Sequence, residues 1–442
     1  MTPLRKAVRL PGVGDLSATH LFILAVILIH SAGHFAYMGV WRHLAAPDFD
    51  VNDFKAYYTA ATAVREGQAE TFLYSDPARL NLGLLPDQPW VEYAVSHGIP
   101  HPSAYIYPPF FAILLAPLTL LPYHAANLVW FTTNTFLLAA SIALLVGLAR
   151  GRLDRFEPVP LAAVIFVSLN FFPTIRALQC GQAGFVLLFL TAGALAALAK
   201  GHDRICGLCL ALAAAIKLTP LLLIAYLAWV GRRRAASWAM AFLAGFALVS
   251  VAVAGWANHV LYLTGFMPSL SRGAATYANQ SLNGFFNRLL TDQSMSVFDF
   301  SSEPTSVRFL TRGAAALMLV AAFLITRARK SGMGDERRVT LGYGLVVLTM
   351  LLVSPISWEH HYVLALVPLA LMIGEVAVRG SRIALGALTC AYLAMALDIF
   401  PLIRRELPFG SRPAMSYLLY GGLLLWLLTA RTLRARWNAE RV

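Results

Sequence analysis

The sequence predicts an all-α polytopic membrane protein with about twelve transmembrane helices and a long first extracytoplasmic loop carrying short interfacial helices. Three observations lead there. Hydrophobic residues make up 58% of the 442 positions and charged residues 13%, with a mean hydropathy of +0.65, whereas soluble domains are about a quarter charged. The apolar residues gather in runs of roughly 20, the length that crosses a bilayer core. The basic residues behind the net charge of +13 sit in short clusters between those runs, the distribution found in cytoplasmic loops. A soluble enzyme, a disordered chain and a disulfide scaffold are excluded, the last because the chain has only four cysteines. Nucleic-acid binding is excluded because it requires a basic face on a soluble module.

The basic clusters are Arg5-Lys6-Arg9, Arg150-Arg152-Arg155, Lys200-Arg204, Arg232-Arg233-Arg234, Arg327-Arg329-Lys330-Arg337-Arg338, Arg379-Arg382 and Arg431-Arg434-Arg436-Arg441. If each is cytoplasmic, the number of crossings between any two must be even. Helix 1 (19–40) is too long for a signal-peptide core and exits to a loop, 41–122, that holds Asp48, Asp50, Asp53, Glu66, Glu70, Asp76, Asp87 and Glu92. Parity then makes 107–121 a short interfacial helix, opened by Pro108 and Pro109 as suits a helix start, and 123–148 helix 2. Helices 3 (159–174) and 4 (182–199) form a hairpin with its tip at 176–182. The run 205–230 has basic clusters at both ends, so it must cross twice in a short length. It is read as two half-helices broken at Lys217-Leu218-Thr219-Pro220, an arrangement tolerated only when buried or lining a cavity. Helices 7 (235–256), 8 (307–326) and 9 (340–354), an outer turn at 354–361 and three more helices complete one integral domain, 1–442, with both termini cytoplasmic. Cys206-x-x-Cys209 reads as small apolar packing.

Charge at membrane depth costs several kcal/mol unless paired or hydrated, so its placement is informative. Asp53 stands just beyond helix 1, close to the bilayer surface. The same residue suits a helix N-cap, and capping does not exclude catalysis. On the same predicted face lie Arg176, Lys217 at the helix break, the amide-rich segment Asn279–Arg288, and Ser354-Pro355-Ile356-Ser357-Trp358-Glu359-His360-His361. Gathered around one cavity, these would supply cations and amide donors to an anionic head group. Separately, each has a plainer use in snorkelling or solvation. A metal site at Glu359-His360-His361 is unsupported, since adjacent helical residues diverge by about 100° and no HExxH spacing is present. Asp398 reads as an intramembrane carboxylate in helix 11. Phosphate-loop, nucleophile-elbow and kinase motifs are absent, so direct nucleoside-triphosphate chemistry is unsupported; an enzyme with its site outside the cytoplasm lacks nucleotide donors there, and a lipid-borne activated donor would solve that problem.

Six motifs in order resemble glycosyltransferase family 87, within the GT-C superfamily of polyprenyl-phosphate-sugar-dependent enzymes. They are Asp53-Phe54-x-x-Tyr57-Tyr58-x-Ala60-Ala61, Tyr107-Pro108-Pro109-Phe110, Gly181-Gln182, Ile216-Lys217-Leu218-Thr219-Pro220, Asn279-Gln280-Ser281-Leu282 with Gly284, and Ser354-Pro355-x-Ser357-Trp358-x-His360-His361-Tyr362. Family members often carry Asn shortly after Gly-Gln, where this chain has Ala183 and Gly184.

The resemblance implies a GT-C-like bundle in a bacterial inner membrane. It implies transfer of mannose or arabinofuranose from a polyprenyl-phosphate donor to a glycolipid or polysaccharide acceptor at the extracytoplasmic face, with Asp53 at the position of the catalytic base. The inventory suits an inverting displacement in which Asp53 deprotonates the acceptor hydroxyl and Lys217, Arg176, His360 and His361 hold the donor phosphate. Tyr57, Tyr58, Gln182, Asn279, Gln280, Trp358 and Glu359 are the expected substrate contacts. No cofactor and no metal ion is expected, because fixed cations are available. The rival reading is a secondary transporter or lipid-linked sugar flippase, suggested by the broken helix.

Overall fold

A computed structural model describes residues 18–41, 52–77, 88–100, 102–153, 157–300, 303–327, 335–398 and 409–439. Asp48, Asp50, Asp87, Arg5-Lys6-Arg9, Arg155, Arg329-Lys330 and Arg441 lie outside the described residues. The described chain is helical and forms no β-strand among the described residues; Asn279 and Trp358 make an isolated antiparallel bridge.

Helix α1 (Ala18–Phe35) runs on as a π-helical turn to Trp41. The segment that follows contributes α2 (Asn52–Arg65), the short α3 (Ala69–Phe72), α4 (Pro89–Ser96) and α5 (Pro109–Leu115), the last extended by a 3-10 turn over Ala116–Leu120. Pro89 and Pro109 sit at the first helical position, where the missing N–H has no intrahelical role. Long α6 (Tyr123–Arg150) leads to α7 (Pro158–Leu169) and α8 (Phe172–Gln179), which meet at a 42° bend. A continuous helix over 159–174 was expected. Pro173 breaks it, because its ring removes an N–H and clashes with the carbonyl four residues back.

Next come α9 (Gly184–Ala199) and the pair α10 (Asp203–Ile216) and α11 (Leu221–Trp229). Between the last two, Lys217 adopts an extended conformation (φ −149°, ψ 132°) and ends α10. Helix α12 (Arg233–Ala254) packs across α10 at Gly207, where an added Cβ would come within 2.6 Å of Trp238 Cβ. Short α13 (Trp256–Leu261), α14 (Met267–Ser271) and α15 (Leu282–Leu290) precede α16 (Thr305–Thr326), α17 (Asp335–Val353), α18 (Leu366–Arg379), α19 (Arg382–Ala396) and α20 (Tyr417–Ala439). Asp398, expected inside a helix, falls beyond the end of α19.

Among the described residues, five helices are long and apolar enough to cross a membrane, or six if the bent pair α7–α8 is one span. Shorter apolar helices include Gly184–Ala199 and Arg382–Ala396. Helices α17 and α18 are buried on nearly every side and form the centre, whereas α1, α12, α16 and α19 turn large apolar side chains outward, among them Ile29, Leu248, Phe309 and Ile383. Such faces suit a surround as apolar as the side chains themselves.

Candidate active site

Two backbone features shape the site. The chain from Ala278 to Gln280 lies against Ser357–Glu359: Gln280 N donates to Ser357 O at 2.7 Å and Glu359 N to Ala278 O at 3.1 Å. Gly181, at φ +59°, reverses the chain after α8 in a conformation open to glycine, and its carbonyl accepts from Trp130 Nε1 at 2.7 Å. That reversal aims Gln182 inward.

These segments enclose one cavity of about 590 Å³, lined by Asp53, Tyr57, Tyr107, Arg176, Gln182, Lys217, Trp358, Glu359, His360 and His361 among others. The volume falls within the usual range for small-molecule sites, about 300–1,000 Å³. Apolar side chains, including Ile106, Met267, Leu270 and Phe298, share its wall.

Asp53 is the second residue of α2, one place inside the helix rather than at its cap. A carboxylate in a first helical turn is favoured by the positive end of the helix dipole. Its Oδ2 accepts from Gln182 Nε2. The other end of that amide is fixed too, since the hydroxyls of Tyr57 and Tyr107 each lie 2.9 Å from Gln182 Oε1 and 3.0 Å from each other. A hydroxyl donates to a carbonyl oxygen, so the two tyrosines select the amide orientation that presents NH₂ to Asp53. Burial pushes the Asp53 carboxyl up to about 6, against the opposing pull of the Gln182 hydrogen bond and the Arg176 charge.

The basic groups face the same space. Lys217 Nζ lies 2.7 Å from His361 Nε2 and 5.9 Å from the centroid of the Tyr107 ring. His361 Nδ1 accepts the backbone N–H of Trp358 at 3.1 Å, and the His360 ring stands perpendicular to that of His361 with centroids 4.6 Å apart. His360 Nε2 is buried without a hydrogen-bond partner among the described residues. Arg176 Nε is 3.9 Å from Glu359 Oε2, and Glu359 Oε1 accepts from Tyr417 Oη at 3.1 Å. The cavity therefore pairs a half-buried carboxylate of raised proton affinity with a row of nitrogen donors. Such a set can take a proton from a hydroxyl and hold a phosphate. No group of three or more His, Cys, Asp or Glu suited to a metal ion forms among the described residues.

Three expected substrate contacts lie off the cavity wall. Tyr58 is buried against Tyr123, and its hydroxyl donates to Leu121 O at 2.8 Å. Asn279 is fully buried, with Nδ2 donating to Ala274 O and Pro355 O and Oδ1 accepting from Ser281 Oγ and Ser357 N. Gln280 is spent likewise on Tyr277 O, Met415 O and Leu418 N. With every polar atom committed to backbone, these amides brace the wall. Arg288 also sits inside the fold, donating to Thr276 O and Ser416 Oγ at 2.8 Å. Sequence reasoning left out Tyr107, Tyr262, Tyr277, Phe298 and Ser354, all on the wall. Tyr107 and Ser354 had a signal, as members of quoted motifs. Tyr262, Tyr277 and Phe298 had none beyond being aromatic.

The model of glycosyltransferase family 87 matches residues 105–355, which include Arg176, Gln182 and Lys217; Trp358–His361 fall just beyond its end and Asp53 well before its start. The chain is 28% identical over 355 residues to the polyprenol-phosphate-mannose-dependent alpha-(1-2)-phosphatidylinositol mannoside mannosyltransferase of Mycobacterium tuberculosis, covering 76% of this chain and 78% of that one. It is 30% identical over 320 residues to the protein of the same description in Mycolicibacterium smegmatis, covering 66% and 67%. A pentamannoside mannosyltransferase of M. tuberculosis is 28% identical over 335 residues, covering 74% and 67%. On the extent of the family match, the chain is a multi-pass membrane glycosyltransferase and belongs to glycosyltransferase family 87.

Proposed function

We propose that this protein transfers a mannosyl residue from a polyprenyl-phosphate donor to a glycolipid acceptor, in a site that opens on the extracytoplasmic side of a bacterial inner membrane. One observation carries the reading: Asp53, Arg176, Lys217, His360 and His361, drawn from four separate stretches of chain, line a single cavity. The printed activities of the relatives add the donor and acceptor classes.

In the proposed step the acceptor hydroxyl gives its proton to Asp53 as its oxygen attacks the anomeric carbon, and the bond from that carbon to the phosphate oxygen breaks. The leaving polyprenyl phosphate gains one negative charge, which Lys217, Arg176 and the two histidines stabilise. The leaving group is a stable anion, so one carboxylate base suffices and the anomeric centre inverts. Glu359 holds Arg176 in place, and Tyr57 and Trp358 contact the sugar. The topology that goes with this reading has about twelve crossings and both termini in the cytoplasm.

The test is purified protein incubated with polyprenyl-phosphate mannose and a phosphatidylinositol mannoside, followed by mass spectrometry. One hexose added to the acceptor is the expected result. Addition of a pentose from the arabinofuranosyl donor instead would change the sugar, and sugar-lipid crossing vesicles without a new covalent bond would make the protein a carrier.

A further inference from the structure

Ser354 follows the last residue of α17, and the 3-10 turn that leads into α18 carries Glu359, His360 and His361, so each of these helices reaches the cavity wall with one end. Their other ends meet the end of α6 in a cluster of charge. There Glu375 on α18, fully buried, is approached by three guanidiniums among the described residues: Arg152 Nη1 at 3.2 Å, Arg337 Nε at 3.6 Å and Arg379 Nε at 3.8 Å. Arg152 is buried too and faces inward, donating also to Arg337 O at 3.1 Å and to Thr340 Oγ1. It passes α18 at Gly374, where an added Cβ would come within 2.8 Å of Arg152 Cβ. Arg152 and Glu375 therefore close a neutral inner pair. Arg337 and Arg379 stand outside it, 31% and 33% exposed, with their Nε atoms beyond hydrogen-bond length of the carboxylate.

We propose that Arg337 and Arg379 form a binding site, separate from the cavity, for the phosphodiester head group of an anionic phospholipid. The three arginines and Glu375 together carry a net charge of +2. The chain segments that supply them keep that sign, since 150–155, 335–338 and 375–382 hold seven arginines against four acidic residues. Two guanidiniums drawn to the edge of one carboxylate repel each other unless a further anion joins them, and the paired oxygens of a phosphate match the guanidinium fork. Glu336, next to Arg337 in sequence, is paired instead with Arg232 Nη2 at 2.5 Å. At 1.5 Å per residue the 19 residues of α17 separate the cluster from the cavity end of that helix by about 28 Å, close to the roughly 30 Å hydrocarbon core. A phosphate at Arg337 and Arg379 would thus sit among the head groups of the leaflet away from the cavity, where basic pockets between helices take anionic lipids. The bound lipid would brace the two helices whose opposite ends build the cavity wall.

The experiment is native mass spectrometry of the full chain released from nanodiscs that hold phosphatidylglycerol and phosphatidylcholine in equal amounts, with the melting temperature followed as each lipid is titrated in detergent. Retained phosphatidylglycerol and a saturable rise in melting temperature are expected, with no rise from phosphatidylcholine or from inorganic phosphate. Arg337→Gln with Arg379→Gln should cut retention about tenfold or more, the worth of one charge-assisted hydrogen bond. Arg431→Gln with Arg434→Gln, an exposed pair on α20, should leave it unchanged. Retention undiminished in the first double variant, or lost equally in both, overturns the site in favour of diffuse surface charge. Stabilisation by inorganic phosphate to the same extent overturns the lipid as its occupant. If the first variant fails to fold, the unaltered protein decides the matter, and equal retention of the two lipids sinks the inference. Sugar transfer is not read at any step, so failure here leaves the function proposed above standing.

Discussion

Asp53 is held from two directions, and each hold makes a separate prediction. As a base it must be ionised to act, and burial sets it near 6. kcat/KM should therefore rise about tenfold per pH unit below 6 and level off above it. General-base catalysis is worth about 10²–10⁴-fold, so Asp53→Asn should lower kcat by that factor with expression and melting temperature nearly unchanged. An equally active Asn variant would remove Asp53 from the chemistry. Gln182 acts through the carboxylate: its hydrogen bond stabilises the charged form, so Gln182→Leu should move the acidic limb of the profile to higher pH and lower kcat more than it raises KM. Tyr57→Phe with Tyr107→Phe frees the amide to turn and should shift the limb the same way, whereas a purely structural loss leaves the limb in place. The charged members of the site were legible in the sequence because a charge in an apolar chain is costly and must have a use. The uncharged ones were not. Tyr57 and Tyr58 are adjacent and alike in sequence, yet only the first reaches the cavity, and Asn279 and Gln280 carry amides that look the same whether they bind a substrate or a backbone.

The two stretches that form the far wall, 274–281 and 354–358, have no helix or strand of their own and depend on hydrogen bonds for their shape, the second leading into a 3-10 turn over Glu359–Ala365. Asn279 supplies four of these hydrogen bonds, two across to Pro355 O and Ser357 N and two within its own stretch, and Gly284 supplies the space for them, since a Cβ at 284 would collide with Asn279 O. Asn279→Ala leaves buried donors and acceptors unpaired and should cost about 1–3 kcal/mol. Gly284→Ala should cost a similar amount through forced displacement. Both should appear as a lower melting temperature and reduced turnover with the acidic limb still near 6, and a shifted limb would mean that this wall reaches the base. Helix positions followed from the sequence where prolines and glycines mark them, as at Pro109 and at the Lys217–Pro220 break. The bend after α7 was hidden because Phe171-Phe172 continues an apolar run through it, and the effect of Pro173 falls on residues before the proline itself.

At the scale of the molecule, the proposed reaction requires the cavity to open away from the cytoplasm. The distribution of basic residues argues for it. Arg232, Arg233 and Arg234 border the start of α12, whereas the stretch 257–300, which follows α12, brings Phe298 to the cavity wall, edge-on to Trp358 at 5.3 Å. A helix of 22 residues at 1.5 Å each is long enough for the roughly 30 Å hydrocarbon core, and an α12 that crosses puts its two ends on opposite sides. Ser296 and Arg233 are both exposed and report on those two ends. With the four native cysteines replaced, Ser296→Cys should react with a membrane-impermeant maleimide in intact spheroplasts, and Arg233→Cys only after permeabilisation or in inverted vesicles. The reverse pattern would turn the cavity toward the cytoplasm, where soluble nucleotide-linked sugars are within reach and a lipid-borne donor loses its physical rationale.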